Sequence, residues 1–167
     1  ESVAAAVAAL PGRPRVVVSG NFATPWQVLE AVDAAVPEYA LFALNAQAGI
    51  PDREGVTLET CFVGPGMRHR PHLRYIPARL SMSPILFRTS LPPDVVLVHT
   101  SVPHDGTVSL GTEVNIMPAA IEAARSRGGL VVAQVNPHMP YTYGDGVYPL
   151  ADFDLVVEVD QPWPDVT

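Results

Sequence analysis

The chain has 167 residues, enough for one domain, and 48% of them are hydrophobic, so it can bury a substantial core. The net charge of -7 argues against a nucleic-acid partner, and no apolar run approaches the roughly 20 residues that a membrane-spanning helix needs. Because no secretory leader opens the chain and a single cysteine cannot form an internal disulfide, we expect a cytoplasmic protein.

The first half of the chain predicts strands that alternate with helices. A buried strand runs into a loop at residues 20–23, and Thr24-Pro25 then supplies a cap and a first helical position. Apolar residues recur at helical spacing along the segment that follows. In chain order we predict a helix at 2–10, a strand at 15–19, a helix at 25–36, and strands at 39–44, 56–63 and 73–76.

The second half continues the alternation after a stretch that proline and glycine interrupt, residues 64–84. Asp105-Gly106 favours a two-residue turn, so we predict a β-hairpin that joins a strand at 94–100 to a return strand at 107–110. The other predicted elements are a helix at 83–88, a helix at 115–127, a strand at 130–135, a loop at 141–149 and a strand at 154–159.

This alternation indicates the fold class. Several of the strands are apolar on both faces, which is typical of a parallel sheet covered by helices on its two sides. We therefore predict an open, mainly parallel α/β sheet with helices on both faces. The strands at 94–100 and 130–135 are expected to be central, because both are continuous apolar runs joined through a helix.

The loop after the first strand is the strongest candidate for ligand binding. Gly20 and Asn21 lie between a strand and a helix, where α/β proteins bind ligands near free helix N–H groups. The loop is neither a dinucleotide fingerprint nor a triphosphate-binding loop. An ordinary strand-to-helix turn is the alternative interpretation.

Two further loops could contribute to the same site. Gly64, Gly66 and Arg68 could bring backbone amides and a guanidinium close to a carboxylate or phosphate, although the pattern favours a rigid turn with a solvated arginine. Asn136 and Met139 follow a predicted strand and could form the wall of a pocket or only shape a loop.

No residue pattern predicts a metal site or a catalytic residue within the chain. The histidines lack metal-ligand spacing, and Cys61 lies in an apolar strand pattern typical of an inert buried thiol. Three carboxylates have no neighbouring acid or activating motif, and we assign catalysis to none of them: Glu59, Glu113 and Glu122.

Seven short motifs stand out along the chain: Phe62-Val-Gly-Pro-Gly-Met-Arg68, Tyr75-Ile-Pro77, Leu80-Ser81, Pro92-Pro-Asp-Val-Val-Leu-Val98, Gly106-Thr-Val-Ser-Leu-Gly111, Ala119-Ala-Ile-Glu-Ala-Ala124 and Val135-Asn-Pro-His-Met-Pro140. They occur in the order seen in the N-terminal domain of the acetyl-CoA hydrolase/transferase family, which includes 4-hydroxybutyrate CoA-transferases. The chain resembles that family over nearly its whole length.

The resemblance implies one domain of a CoA-transferase-like enzyme. Such enzymes move coenzyme A between an acyl-CoA and a carboxylate such as acetate or 4-hydroxybutyrate, or hydrolyse the thioester. A glutamate attacks the acyl-CoA, giving an acyl-glutamyl anhydride and then a glutamyl-CoA thioester. That glutamate belongs to the C-terminal domain, and no position here matches its motif, so we expect the isolated chain to be inactive.

The resemblance also implies the organisation of the protein. Residues 1–160 correspond to the N-terminal domain and residues 161–167 to the start of a linker. The expected partners are acyl-CoA, small carboxylates, the C-terminal domain and further copies of the full-length enzyme. Coenzyme A is a substrate, and no permanently bound cofactor is expected. The chain departs from many members at residues 19–25, which leaves the acyl specificity open. A non-catalytic α/β ligand-binding or regulatory module is the alternative.

Overall fold

The computed structural model describes residues 2–164 and consists of a seven-stranded sheet, a small two-stranded sheet and four α-helices. The strands are β1 (Arg15–Val18), β2 (Tyr39–Phe42), β3 (Val56–Thr60), β4 (Leu73–Tyr75), β5 (Val95–Thr100), β6 (Thr107–Ser109), β7 (Leu130–Val135), β8 (Val147–Pro149) and β9 (Leu155–Glu158). The helices are α1 (Val3–Ala8), α2 (Trp26–Ala35), α3 (Ser83–Arg88) and α4 (Met117–Ser126). No helix within residues 2–164 combines the length and apolarity needed to cross a membrane.

The order of strands in the large sheet is β4-β3-β2-β1-β5-β7-β9, and every pairing is parallel. Successive strands move outward from β1 in one direction as far as β4, and then from β5 in the other. The strand order therefore reverses between β1 and β5, which are paired with Val17 opposite Val96. In open α/β sheets this switch point is the place where ligands bind.

Alternate residues of the strands pack against different helices. Val16 and Val18 of β1 belong to a core cluster with residues of α1 and α2, whereas Val17 belongs to a second cluster with residues of α3 and α4. Each fully buried valine or leucine contributes about 1.5–3 kcal/mol relative to an exposed one. The predicted open, mainly parallel α/β sheet with helices on both faces is confirmed.

Neither of the two strands predicted to be central, β5 and β7, is an edge strand, and both are almost completely buried. β5 lies between β1 and β7, and β7 lies between β5 and β9. The middle strand of the seven is β1, because the sheet extends by three strands on each side of it.

The predicted β-hairpin is only partly correct. Asp105 and Gly106 do form a tight turn with φ of 48° and 76°, and His104 and Thr107 exchange backbone hydrogen bonds across it. However, β6 pairs in antiparallel orientation with β8, which falls inside the segment predicted to be a loop. The physical reason is that both edges of β5 are already hydrogen-bonded, to β1 and to β7, so β5 has no edge left for a return strand.

Candidate functional site

The loops that follow β1, β2 and β3 are joined by backbone hydrogen bonds at the carboxyl edge of the sheet. The Asn21 N–H donates to the Leu44 carbonyl at 3.1 Å, and the Asn45 N–H donates to the Phe62 carbonyl at 2.9 Å. The Gly66 N–H donates to the Ala46 carbonyl at 2.8 Å. Residues 44–47 therefore form the shared support on which the loop at 20–23 and the turn at 64–68 rest.

A cleft of about 190 Å³ opens beside this support. It is lined by Asn21, Leu44, Asn45, Phe62, Leu80, Glu113 and Asn115. Phe62 and Leu80 are about half exposed, at 51% and 46%, which is a large exposure for apolar side chains next to each other in one cleft. The cleft thus combines an apolar surface with a carboxylate and three amides, the mixture typical of small-molecule sites.

The polar side chains of the cleft form one hydrogen-bonded row. The Asn45 amide donates to Asn21 Oδ1 at 2.9 Å, and the Asn21 amide donates to Glu113 Oε1 at 3.0 Å. The amide of Asn115 donates to the other oxygen, Glu113 Oε2. Asn21 and Asn45 both adopt positive φ, 53° and 45°, a conformation that asparagine tolerates better than most residues other than glycine. The row therefore ends on the carboxylate of Glu113.

At the three glycines predicted for the site, the backbone of one loop packs closely against the backbone of residues 44–47. A side chain at Gly20 would overlap the Leu44 carbonyl oxygen, and one at Gly66 would overlap the Gln47 carbonyl oxygen. A side chain at Gly64 would meet the backbone of Asn45 and Ala46. These positions require glycine because one backbone segment lies directly against another.

Of the predicted binding residues with side chains, only Asn21 lines the cleft. Arg68 is exposed on the turn outside the cleft lining. Met139 is buried, and its sulfur lies so close to Gly111 that a side chain there would collide with it. Within the described residues, the first loop and the 64–68 turn both rest on residues 44–47, whereas Arg68 and Met139 lie outside the cleft.

Asn136 is buried in a polar cluster that connects the loops after β1 and β7. Its Nδ2 donates to His99 Nε2 at 2.9 Å and to the Gln161 carbonyl at 2.8 Å, and its Oδ1 accepts from the Gln161 N–H at 3.3 Å. The Nδ1 atom of His99 lies 3.2 Å from the Ala23 carbonyl. Burial lowers the pKa of His99 to about 4, so the ring is neutral, donates through Nδ1 to Ala23 and accepts from Asn136 through Nε2.

Gln161 extends this cluster to the segment after β9. Its side-chain amide donates to the Thr24 carbonyl at 3.4 Å, and its Oε1 accepts from the Gln134 side chain at 3.0 Å. Gln134 Oε1 in turn accepts from the Val28 N–H in the first turn of α2. The position at which the linker was expected to begin is therefore hydrogen-bonded to the domain, while residues 165–167 of that predicted linker lie outside the described part of the chain.

The contacts of Glu59 and Cys61 are those of residues with a structural role. Glu59 is 1% exposed and forms ion pairs with Arg15 at 2.7 Å and Arg74 at 3.3 Å. Cys61 is a free thiol whose pKa is raised, chiefly by burial. Within residues 2–164, no three or more His, Cys, Asp or Glu side chains are grouped so that they could hold a metal ion.

A larger cleft of about 310 Å³ lies between α1, α2 and β9. Its lining is mostly aliphatic, with Ser2 and Gln27 as the polar side chains, and it contains no titratable group. Because a binding site needs a few convergent polar groups, the smaller cleft at the switch point is the better candidate.

Sequence reasoning did not assign Glu113 and Asn115 to the site. Glu113 contacts Asn21, a residue 92 positions earlier in the chain. No local pattern around Glu113 signals this contact, since the two segments meet only through the strand order of the sheet.

Comparison with known proteins gives consistent matches. Residues 17–164 match the acetyl-CoA hydrolase/transferase N-terminal domain. The 4-hydroxybutyrate coenzyme A transferase of Clostridium kluyveri is 37% identical over 90 residues, 53% of this chain and 20% of that protein. The succinyl-CoA:acetate/propanoyl-CoA:succinate CoA transferase of Fasciola hepatica is 29% identical over 160 residues, 88% of this chain and 33% of that protein.

A solved structure extends the comparison to the fold. The 4-hydroxybutyrate CoA-transferase of Porphyromonas gingivalis superposes with a TM-score of 0.73 at 26% identity, over 99% of this chain and 40% of that chain. The chain therefore spans less than half the length of each of these relatives.

Proposed function

Because the chain belongs to the acetyl-CoA hydrolase/transferase family, as its N-terminal domain, we propose that it forms part of an enzyme that moves coenzyme A between an acyl-CoA and a carboxylate such as acetate or 4-hydroxybutyrate, or that hydrolyses the thioester. The fold is the CoA-transferase-like α/β domain expected from the sequence. Coenzyme A enters this proposal as a substrate, with no permanently bound cofactor.

The observation that carries the proposal is the cleft at the switch point. Its apolar side chains, Phe62 and Leu80, suit the methylenes of a short acyl chain, and its amides suit the polar atoms of that chain. We propose that Asn21 contacts the acyl group and that Gly20, Gly64 and Gly66 hold the loops that shape the cleft. Arg68, Asn136 and Met139 do not line this cleft. Any effect of these three residues on the substrate would therefore be indirect or exerted at another surface.

We propose that the nucleophilic glutamate lies in a C-terminal domain that this chain does not contain. Covalent catalysis on that glutamate divides the exchange into easier steps, through an acyl-glutamyl anhydride and a glutamyl-CoA thioester. The exposed apolar side chains near the cleft support a covering domain, since large exposed apolar patches mark interaction surfaces. They are Phe22, Phe62, Leu80 and Met82.

We also propose that the full-length enzyme is a homo-oligomer and lies in the cytoplasm. The resemblance implies a homo-oligomer when the protein is full length, and the single cysteine is consistent with a cytoplasmic enzyme. A non-catalytic ligand-binding or regulatory module is the competing proposal, and it is favoured if no second domain or partner subunit supplies the glutamate.

The test is an assay of the full-length protein with acetyl-CoA and 4-hydroxybutyrate. We expect coenzyme A to be transferred, and we expect borohydride to inactivate the enzyme in the presence of acyl-CoA, because it reduces the covalent thioester. The 167-residue chain alone should neither transfer coenzyme A nor form a thioester that borohydride can reduce. Absence of both exchange and hydrolysis in the full-length protein would favour the binding module, and turnover by the isolated chain would disprove the assignment of the nucleophile to another domain.

A further inference from the structure

Glu113 is a carboxylate without a charged partner in the cleft. It is half-buried, and the ion pairs among residues 2–164 do not include it. Glu59, by contrast, is more deeply buried and has two arginine partners. Two asparagine amides, those of Asn21 and Asn115, hold the Glu113 carboxylate in place without neutralising its charge.

The hydrogen bonds around Glu113 leave it able to accept more. A carboxylate has about four acceptor positions, and Asn21 and Asn115 occupy one on each oxygen. All of the donors in the row point toward Glu113, since Asn45 donates to Asn21 and Asn21 donates to Glu113. The cleft therefore presents the negative charge of Glu113 to whatever enters it.

Two apolar neighbours strengthen the effect of that charge. Phe62 and Leu80 line the same cleft, and the interaction between charges grows as the surrounding medium becomes less polar. A second negative charge brought into the cleft would meet the Glu113 carboxylate, which has no cation beside it among the described residues. An uncharged chain would meet apolar surface and hydrogen-bonding amides without that repulsion.

We propose that Glu113 is a specificity-determining residue, which makes the cleft accept acyl chains with an uncharged end and reject acyl chains that end in a second carboxylate. The proposal rests on the proposed function, because it assumes that the cleft receives the acyl group. Asn115 serves as a positioning residue that keeps the carboxylate directed at the cleft, and Asn21 also holds the carboxylate in addition to its proposed contact with the acyl group. The substrate class is that of neutral short-chain acyl groups, as opposed to dicarboxylic ones such as succinyl.

The test compares butyryl-CoA with succinyl-CoA, which have four-carbon acyl chains and differ in the terminal carboxylate. In the full-length enzyme, kcat/KM is measured for both donors with acetate as acceptor. The wild type should favour butyryl-CoA, and Glu113→Gln should raise the succinyl-to-butyryl ratio of kcat/KM by about tenfold or more, since like charges at close range strongly oppose binding. Glu122→Gln is the matched control, because Glu122 is an exposed carboxylate on α4 paired with Arg88.

The outcomes separate the inference from the proposed function. If the wild type transfers coenzyme A from neither donor nor from acetyl-CoA, the proposed function itself fails. If it transfers coenzyme A but prefers succinyl-CoA, or if Glu113→Gln leaves the ratio unchanged, the role of Glu113 is overturned and the proposed function stands.

Should Glu113→Gln not fold, Glu113→Ser removes the same charge with a smaller side chain, and succinate and butyrate are compared as competitive inhibitors of the wild type. Equal inhibition by the two acids would also overturn the role of Glu113.

Discussion

His99 on β5 accepts a hydrogen bond through Nε2 from the amide of Asn136, which follows β7, at a distance of 2.9 Å. The other ring nitrogen faces the Ala23 carbonyl in the loop after β1. One neutral imidazole on β5 thus connects the loops that follow the two neighbouring strands, β1 and β7, at the carboxyl edge of the sheet. This arrangement requires the ring to remain uncharged, which has a consequence for the stability of the protein in acid.

We expect the protein to lose stability as the pH falls from about 6.5 to about 4. Burial lowers the pKa of His99 from 6.5 to about 4, so in this interval the unfolded chain binds a proton that the folded chain does not. The loss attributable to His99 should reach about 3 kcal/mol at the acidic end. Urea unfolding at a series of pH values measures it. His99→Gln should reduce the pH slope, and an unaltered slope in this variant would contradict the assignment to His99.

We expect Asn21→Gly to lower kcat/KM of the full-length enzyme for short-chain acyl-CoA by about tenfold, the scale of one or two lost hydrogen bonds. Glycine is the right replacement because Asn21 has φ of 53°, which alanine would adopt only with strain. The variant removes the amide between Asn45 and Glu113 while it preserves the backbone. If Asn21→Gly alters neither the melting temperature nor the kinetics for any acyl group, the loop at residues 20–23 has only a structural role.

Gly20→Ala should destabilise the protein by about 2–3 kcal/mol or more, because the added methyl would overlap the Leu44 carbonyl oxygen. Gly12→Ala is the control, since Gly12 has positive φ but open space around its Cα. It should cost only about 1 kcal/mol of backbone strain. The difference in free energy of unfolding between the two variants isolates the collision. Equal costs would mean that the loop at residues 20–23 is not held tightly against residues 44–47.

Arg15→Ala should destabilise the protein by about 3–5 kcal/mol, because it leaves the buried Glu59 carboxylate with only the more exposed Arg74. Arg88→Ala, which breaks an exposed ion pair with Glu122, should cost at most about 1 kcal/mol. The double variant Arg15→Ala/Glu59→Gln should recover part of the loss, since it removes the unpaired charge. Additive effects in this cycle, measured by urea unfolding, would argue against direct coupling of Arg15 and Glu59.

Much of the architecture could be predicted from short stretches of sequence. The apolar run of β7 and the helical spacing of α2 identify those elements, because secondary structure follows from a period of hydrophobic residues that is visible locally. Apolar residues on both faces of the inner strands also predict a parallel sheet covered on both sides. The family resemblance follows from the order of the motifs, which is likewise a property of the linear sequence.

The site depends on contacts between residues that are far apart in the chain. The pairing of β6 with β8 follows from the occupied edges of β5, and the contact between Asn21 and Glu113 follows from the reversal of strand order beside β1. Neither contact has a local signal, since each depends on which backbone edges are free and which loops are brought to one end of the sheet. Hence the sequence was enough to predict the loop at Gly20 and Asn21, whereas the carboxylate that this loop meets became evident only once the strands had been placed side by side.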